Sequence, residues 1–368
     1  MPAFTLDDVR EQTYKRRDAW WTVLLVDPVA ARLVTVTANR TSITPNQLTV
    51  MAALLGLAAA ACFATASPGW LVVGALLFHA SFIVDCMDGK VARLKGTGSV
   101  FGMWLDFLFD RIRDVVCAAA LLGGQFAATG NPVFLWFAVG VIAVEMFRYL
   151  NGPQLAKVRT AMRTKMTRSL KELYELRESL GPTGEPVDPS DDAETTARST
   201  QTEQEAQDVR EAEQFTRESP DEGGEDGLDE AVELTPAQVA RRQARDVQAT
   251  ELQEGFHRRF PWYTRLRSAL HQYRIRSHLF SGIEFTMGVF IIAPLVGAFS
   301  LTGMLVTIAL CGIFLLAFEI ALIYKLWLST RRFGVVLGQI DDQVLQLRSQ
   351  LEARTESGPA EDDAVTVG

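Results

Sequence analysis

Apolar and polar positions are segregated along this chain, and the segregation predicts its elements. Apolar stretches fall at about 47–67, 69–87, 101–126, 131–150, 277–299 and 302–327. Each reaches the roughly 17–25 residues a helix needs to cross a bilayer. The expected fold is all-α, a polytopic integral membrane protein with six transmembrane helices. The stretch 101–126 is the poorest by hydropathy, because Asp106, Asp110, Arg111, Arg113 and Asp114 interrupt its first half.

Outside the apolar stretches the pattern changes. Residues 1–40 mix charge with Trp20, Trp21, Leu24, Leu25, Val26, Leu33 and Val34, which predicts an N-terminal amphipathic helix lying in the membrane interface. Residues 41–150 hold the first four spans, and Thr44-Pro45-Asn46 supplies a cap and an early proline for the first. Residues 151–276 form a long connection with helical flanks: Leu170, Leu173, Leu176 and Leu180 recur at helical spacing, and 236–256 is rich in Ala, Gln and Arg. Residues 277–328 carry the last two spans. In 329–368, Val336, Ile340, Val344, Leu347 and Leu351 predict an amphipathic helix, with a disordered tail beyond Thr355.

Charge sharpens this division. Between 181 and 235 there are 18 Asp and Glu against three Arg, with five Gly and four Pro. Such composition cannot bury enough apolar area to offset chain entropy, so this middle is expected to be disordered. Subtracting its −15 from the −8 of the whole chain leaves +7 for the rest. The loops at 66–69, 127–131 and 300–302 carry no charge, whereas Arg10, Lys15, Arg17, Arg32, Arg40, Lys90, Arg93, Lys95, Arg148, Lys157, Arg159, Arg331 and Arg332 fall on the other side. Both termini are therefore expected in the cytoplasm, and the same rule accounts for Lys90 and Lys95. The basic-aromatic run His257–Tyr263 beside a span reads as a membrane anchor, and no nucleic-acid partner is expected. The start Met1-Pro2-Ala3-Phe4 has no basic, apolar leader pattern, so no cleavable signal is expected. Cys62, Cys86, Cys117 and Cys311 lie in or next to spans and form no metal-binding C-x-x-C pair.

The candidate chemistry lies between Asp85 and Asp110. Four carboxylates, Asp85, Asp88, Asp106 and Asp110, sit at membrane depth, where each ionisable group costs about 2.5–3.5 kcal/mol or more and marks a functional site. Three- and four-residue spacing puts each pair on one helix face. Like charges so placed call for cations between them, and hard oxygen ligands suit Mg²⁺ or Mn²⁺. Two such ions about 3.5–4 Å apart can clamp a phosphoryl displacement.

The residues read D-x-x-D-G-x-x-A-R-x8-G-x3-D-x3-D, through Asp85, Asp88-Gly89, Ala92-Arg93, Gly102, Asp106 and Asp110. This resembles the signature of the CDP-alcohol phosphotransferase family at every motif position. The resemblance implies a membrane enzyme, usually a homodimer, that joins a CDP-linked substrate to an alcohol and releases CMP. It implies two Mg²⁺ or Mn²⁺ ions on Asp85, Asp88, Asp106 and Asp110, with Asp110 as the catalytic base. Gly89, Ala92, Arg93 and Gly102 are expected to contact nucleotide or diphosphate.

Other positions keep two readings. Asn46 lies in a T-P-N element that resembles the family's nucleotide pocket, or it serves capping alone. Arg148 binds an acceptor phosphate or anchors the cytoplasmic side. His79 packs or faces lipid in preference to a metal or catalytic role, Asp114 pairs with Arg113 or Arg148 or orients Asp110, and Glu284 binds an acceptor hydroxyl or pairs with Arg276. CDP-diacylglycerol with a polyol phosphate fits the basic residues from Arg148 to Lys165 better than a CDP-amino-alcohol with diacylglycerol. A cation transporter is the rival of another class, since intramembrane carboxylates also line ion pathways.

Overall fold

The computed structural model describes residues 4–15, 17–180, 273–276 and 280–356. The acidic middle at 181–235, the flank at 236–256, the run His257–Tyr263 and the tail beyond 356 lie outside the described residues. The described residues are helical without a strand; one isolated bridge pairs Asp18 with Ile275.

Helix α1 (Leu6–Thr13) is fixed by a capping box in which Thr5 and Asp8 exchange hydrogen bonds of 2.7 and 3.1 Å. The Thr5 hydroxyl and then the Thr5 amide, each donating to the Asp8 carboxylate at 2.7 Å, hold that carboxyl below its ordinary range. A π turn (Thr22–Val26) leads into α2 (Asp27–Arg40). Helix α3 (Pro45–Ala64) begins as the sequence predicts: Pro45 occupies the first turn, and Thr44 and Gln47 form a capping box. Helix α4 (Pro68–Lys95) ends at Gly96, whose φ of 64° closes the turn towards α5 (Val100–Thr129). Helix α6 (Val133–Leu180) and the last helix, α9 (Leu301–Glu356), are far longer than one crossing. Between them come α7 (Gly282–Met287), a π turn (Gly288–Ile292) and α8 (Ala293–Gly297).

Among the described residues, five helices are long and apolar enough to cross a membrane: those within Thr22–Arg40, Pro45–Ala64, Pro68–Lys95, Val133–Leu180 and Leu301–Ala353. Four coincide with predicted spans. The fifth, Thr22–Arg40, was expected to lie in the interface. Helix α5 falls outside the five because five charged residues crowd its first half, and Gly282–Gly297 is shorter than a full crossing. The protein is thus an all-α integral membrane protein, and five of its described helices are long and apolar enough to be crossings by length and composition.

The chain divides into two units, Met1–Arg148 with Asp229–Glu319, and Tyr149–Leu228 with Ile320–Gly368. In the first, α3 packs against both α4 and α5. Phe63, Phe78, Leu71, Leu121 and Leu122 are fully buried there. In the second, Met166, Leu170 and Leu173 of α6 meet Val336, Leu337, Ile340 and Val344 of α9.

A polar staple ties the first unit's N-terminal region to α4. Lys90 Nζ lies 3.1 Å from one Asp27 oxygen, and Arg274 Nη1 lies 3.3 Å from the other. The Arg274 guanidinium also donates to the Lys15 carbonyl and covers the Tyr14 ring at 4.3 Å. Burial, with the Asp27 charge beside it, pushes the Tyr14 phenol above its ordinary value. Lys90 is 5% exposed, so its charge serves this buried pair and not membrane topology alone.

Candidate active site

Helices α4 and α5 bring three of the four motif carboxylates together. Oxygen atoms of Asp85, Asp88 and Asp106 all lie within 4.8 Å of one another. The i, i+3 spacing puts Asp85 and Asp88 on one face of α4, and the short turn at 96–99 returns the chain so that Asp106 meets them from α5. Three hard anionic donors converging at this spacing fit a divalent cation. Asp88 is buried, and the Thr49 hydroxyl of α3 donates to it.

Asp110 is placed differently. Its Oδ1 lies 2.7 Å from Arg113 Nη2, and its Oδ2 makes a looser 3.6 Å contact with Arg111. Arg113 also reaches Asp85 at 3.4 Å and Asp114 at 3.5 Å. One buried guanidinium therefore joins three carboxylates across two helices. Of the two partners weighed for Asp114, the structure shows Arg113.

Two glycines make these approaches possible. A Cβ on Gly56 of α3 would come within 2.6 Å of the Arg113 side chain, so only glycine lets its methylenes pass. A Cβ on Gly102 would meet Asn46 Oδ1 at 2.9 Å and Ser99 Oγ at 3.1 Å. Gly102 thus seats Asn46 beside the start of α5, and its open side is filled by these two polar groups. Arg93 is exposed and folds back towards Gly89, with Nη1 at 3.7 Å from where a side chain there would begin. Ala92, half-buried, gives its carbonyl to the Thr97 amide at 3.0 Å and so helps end α4.

Arg148 pairs with Glu145 at 2.7 Å, and Glu145 accepts from the Thr286 hydroxyl at 3.2 Å. Glu284 does not pair with Arg276. It takes the amide and hydroxyl of Ser281 at 2.9 and 2.6 Å, capping α7, while Arg276 lies 3.9 Å from Asp18. His79 stacks edge-on against Trp21, the packed position expected of it.

Sequence reasoning missed Thr49, Gly56, Glu145 and the bridging role of Arg113. Arg113 alone carried a signal, standing three residues after Asp110 and next to Asp114. The others depend on which helices meet.

Apolar helices long enough to cross a membrane, with three carboxylates converging between α4 and α5, define a class of integral membrane proteins with a candidate divalent-cation site. The chain matches the CDP-alcohol phosphatidyltransferase family model over residues 42–171, about a third of its length. It is similar to archaetidylinositol phosphate synthase of Methanothermobacter thermautotrophicus, with 33% identity over 99 residues, 27% of this chain and 49% of the relative. Phosphatidylinositol phosphate synthase of Corynebacterium glutamicum is 36% identical over 91 residues, 25% of this chain and 38% of that protein. The counterpart of the same name in Cutibacterium acnes is 33% identical over 132 residues, 35% and 56% of the two chains. The match thus spans about half the length of these relatives or less.

Proposed function

We propose that this protein transfers a substituted phosphate from a CDP-linked lipid, CDP-diacylglycerol, to the hydroxyl of a polyol phosphate, releasing CMP in phospholipid synthesis. The observation that carries this reading is the meeting of Asp85, Asp88 and Asp106 within 4.8 Å, in the motif of the matched family. The polyol phosphate is supported by the names of the relatives, archaetidylinositol phosphate synthase and phosphatidylinositol phosphate synthase, and by the basic residues that follow Arg148.

Asp85, Asp88 and Asp106 would hold Mg²⁺ or Mn²⁺, with Asp110 completing the set for a second ion. When bound, the cations supply charge neutralisation for the diphosphate and the departing phosphate. Asp110 takes the proton of the acceptor hydroxyl. Its Oδ1 is anchored on Arg113 at 2.7 Å, and Oδ2, held only by the looser 3.6 Å contact with Arg111, is the accepting atom. The hydroxyl oxygen then bonds to the β-phosphorus, the bond from that phosphorus to the bridging oxygen breaks, and CMP leaves with the electron pair. Gly89, Ala92, Arg93, Gly102 and Asn46 line the nucleotide side, Arg93 offering a planar fork to phosphate. Arg148, oriented by Glu145, receives the acceptor phosphate. The site faces the cytoplasm, where the positive loops lie, and the enzyme works as a homodimer.

The test is CMP release by the purified protein with CDP-diacylglycerol, Mg²⁺ or Mn²⁺ and a panel of alcohols including inositol phosphates. Release should require a phosphorylated polyol and fall about 10²–10⁴-fold in Asp110→Asn. A wild-type protein that binds divalent cation yet releases no CMP with any acceptor would overturn the reading.

A further inference from the structure

We infer that Arg113 is the built-in counter-cation of this site, a positioning residue that ties Asp85 to Asp110 and weakens the grip of the carboxylates on a divalent cation. The inference rests on the proposed reading that those carboxylates bind such a cation, and it deepens that reading by naming what sets the affinity.

Asp85 is the shared member of two groups. Its carboxylate belongs to the cluster with Asp88 and Asp106, and it also lies 3.4 Å from Arg113 Nη1. The same guanidinium holds Asp110 at 2.7 Å and Asp114 at 3.5 Å. Arg113 cannot easily swing away. It is 5% exposed, its methylenes thread past Gly56, and its Cζ lies 5.4 Å from the centre of the Phe78 ring. No motif position demands this arginine.

Two consequences follow from a fixed positive charge at this point. With no divalent cation bound, Arg113 offsets repulsion between α4 and α5 carboxylates and keeps them assembled. With a cation bound, the guanidinium opposes it across the width of one carboxylate. Even at the dielectric of bulk water, a unit charge about 5 Å from a divalent ion weakens its binding by about tenfold, and a drier site raises the effect. The site is thereby held together when empty and prevented from binding its cation too tightly.

The experiment uses the full chain in detergent and measures bound Mn²⁺ from the electron paramagnetic resonance signal of the free ion, with thermal unfolding in parallel. Asp88→Asn tests the underlying reading: wild-type binding that this variant loses places the ion on the carboxylates, and equal binding in both overturns that reading and this inference together. Given that loss, Arg113→Gln should bind Mn²⁺ at least about tenfold more tightly than wild type. It should also unfold at a lower temperature in chelator and gain more from added Mn²⁺. Arg113→Lys, which keeps the charge, should stay near wild type. Unchanged or weaker Mn²⁺ binding by a folded Arg113→Gln protein overturns the role of Arg113 while leaving the carboxylate site standing. Should Arg113→Gln not fold, Gly56→Ala decides, because its Cβ displaces the guanidinium from Asp85: tighter binding supports the inference, and unchanged or weaker binding overturns it.

Discussion

Thr49 holds Asp88 from a third helix, so the orientation of one motif carboxylate depends on a hydroxyl outside the motif. A hydrogen bond to a charged group is worth about 1.5–3 kcal/mol. Thr49→Val, which keeps the shape, should therefore lower CMP release about tenfold or more while the helices stay folded. Full activity in that variant would show that α4 alone orients Asp88. Gly102 makes a second case. Alanine there forces Asn46 and Ser99 back by several tenths of an ångström. The expected result for Gly102→Ala is a raised KM for the CDP-linked substrate with little change in melting temperature; an unchanged KM would remove Asn46 from the nucleotide side. At this scale the motif residues could be read from their spacing, because the cost of charge at membrane depth makes them conspicuous. Thr49 and Gly56 could not, since a threonine and a glycine in an apolar helix are ordinary until another helix arrives beside them.

At the scale of elements, the staple between α2 and α4 carries a measurable load. Asp27 is 4% exposed and has Lys90 and Arg274 on its two oxygens. Removing one partner of a buried pair costs about 3–5 kcal/mol, because it leaves a charge uncompensated. Lys90→Met should lower stability by somewhat less than that, since Arg274 remains, and Asp27→Asn added to it should restore part of the loss. Additive losses in thermal unfolding would mean that the pair does not couple. The helices themselves were largely legible from apolar periodicity, yet their lengths were not. A helix of 48 residues is about 72 Å long, more than twice a bilayer's hydrocarbon core. The predicted boundary near 150 followed a change of composition, but a helix continues through such a change when no strong breaker intervenes. Pro153 does sit inside α6, and the helix runs past it. Thr22–Arg40 is apolar and long enough to cross a membrane as well as to lie in its interface, and the charge of Asp27 within it meets Lys90 from a distant part of the sequence.

For the whole molecule, the distribution of charge separates the candidate site from the acidic stretch. Every residue assigned to the site belongs to the first unit, Met1–Arg148 with Asp229–Glu319. The stretch 181–235 contributes −15, against +7 for everything else, so the overall acidity comes from residues that supply no motif carboxylate. A cationic remainder suits a protein that works on phosphates beside anionic lipid, where each basic residue near the surface adds about 1 kcal/mol of attraction. Deleting 181–235 should then leave CMP release and Mn²⁺ affinity close to wild type. In vesicles rich in anionic lipid, the same deletion should lower the apparent KM for the anionic lipid substrate at low salt, and added salt should erase the difference, because the interaction is screened over about 10 Å at 0.1 M. Loss of CMP release in a deleted protein that still binds Mn²⁺ would instead place part of the catalytic function in the acidic stretch.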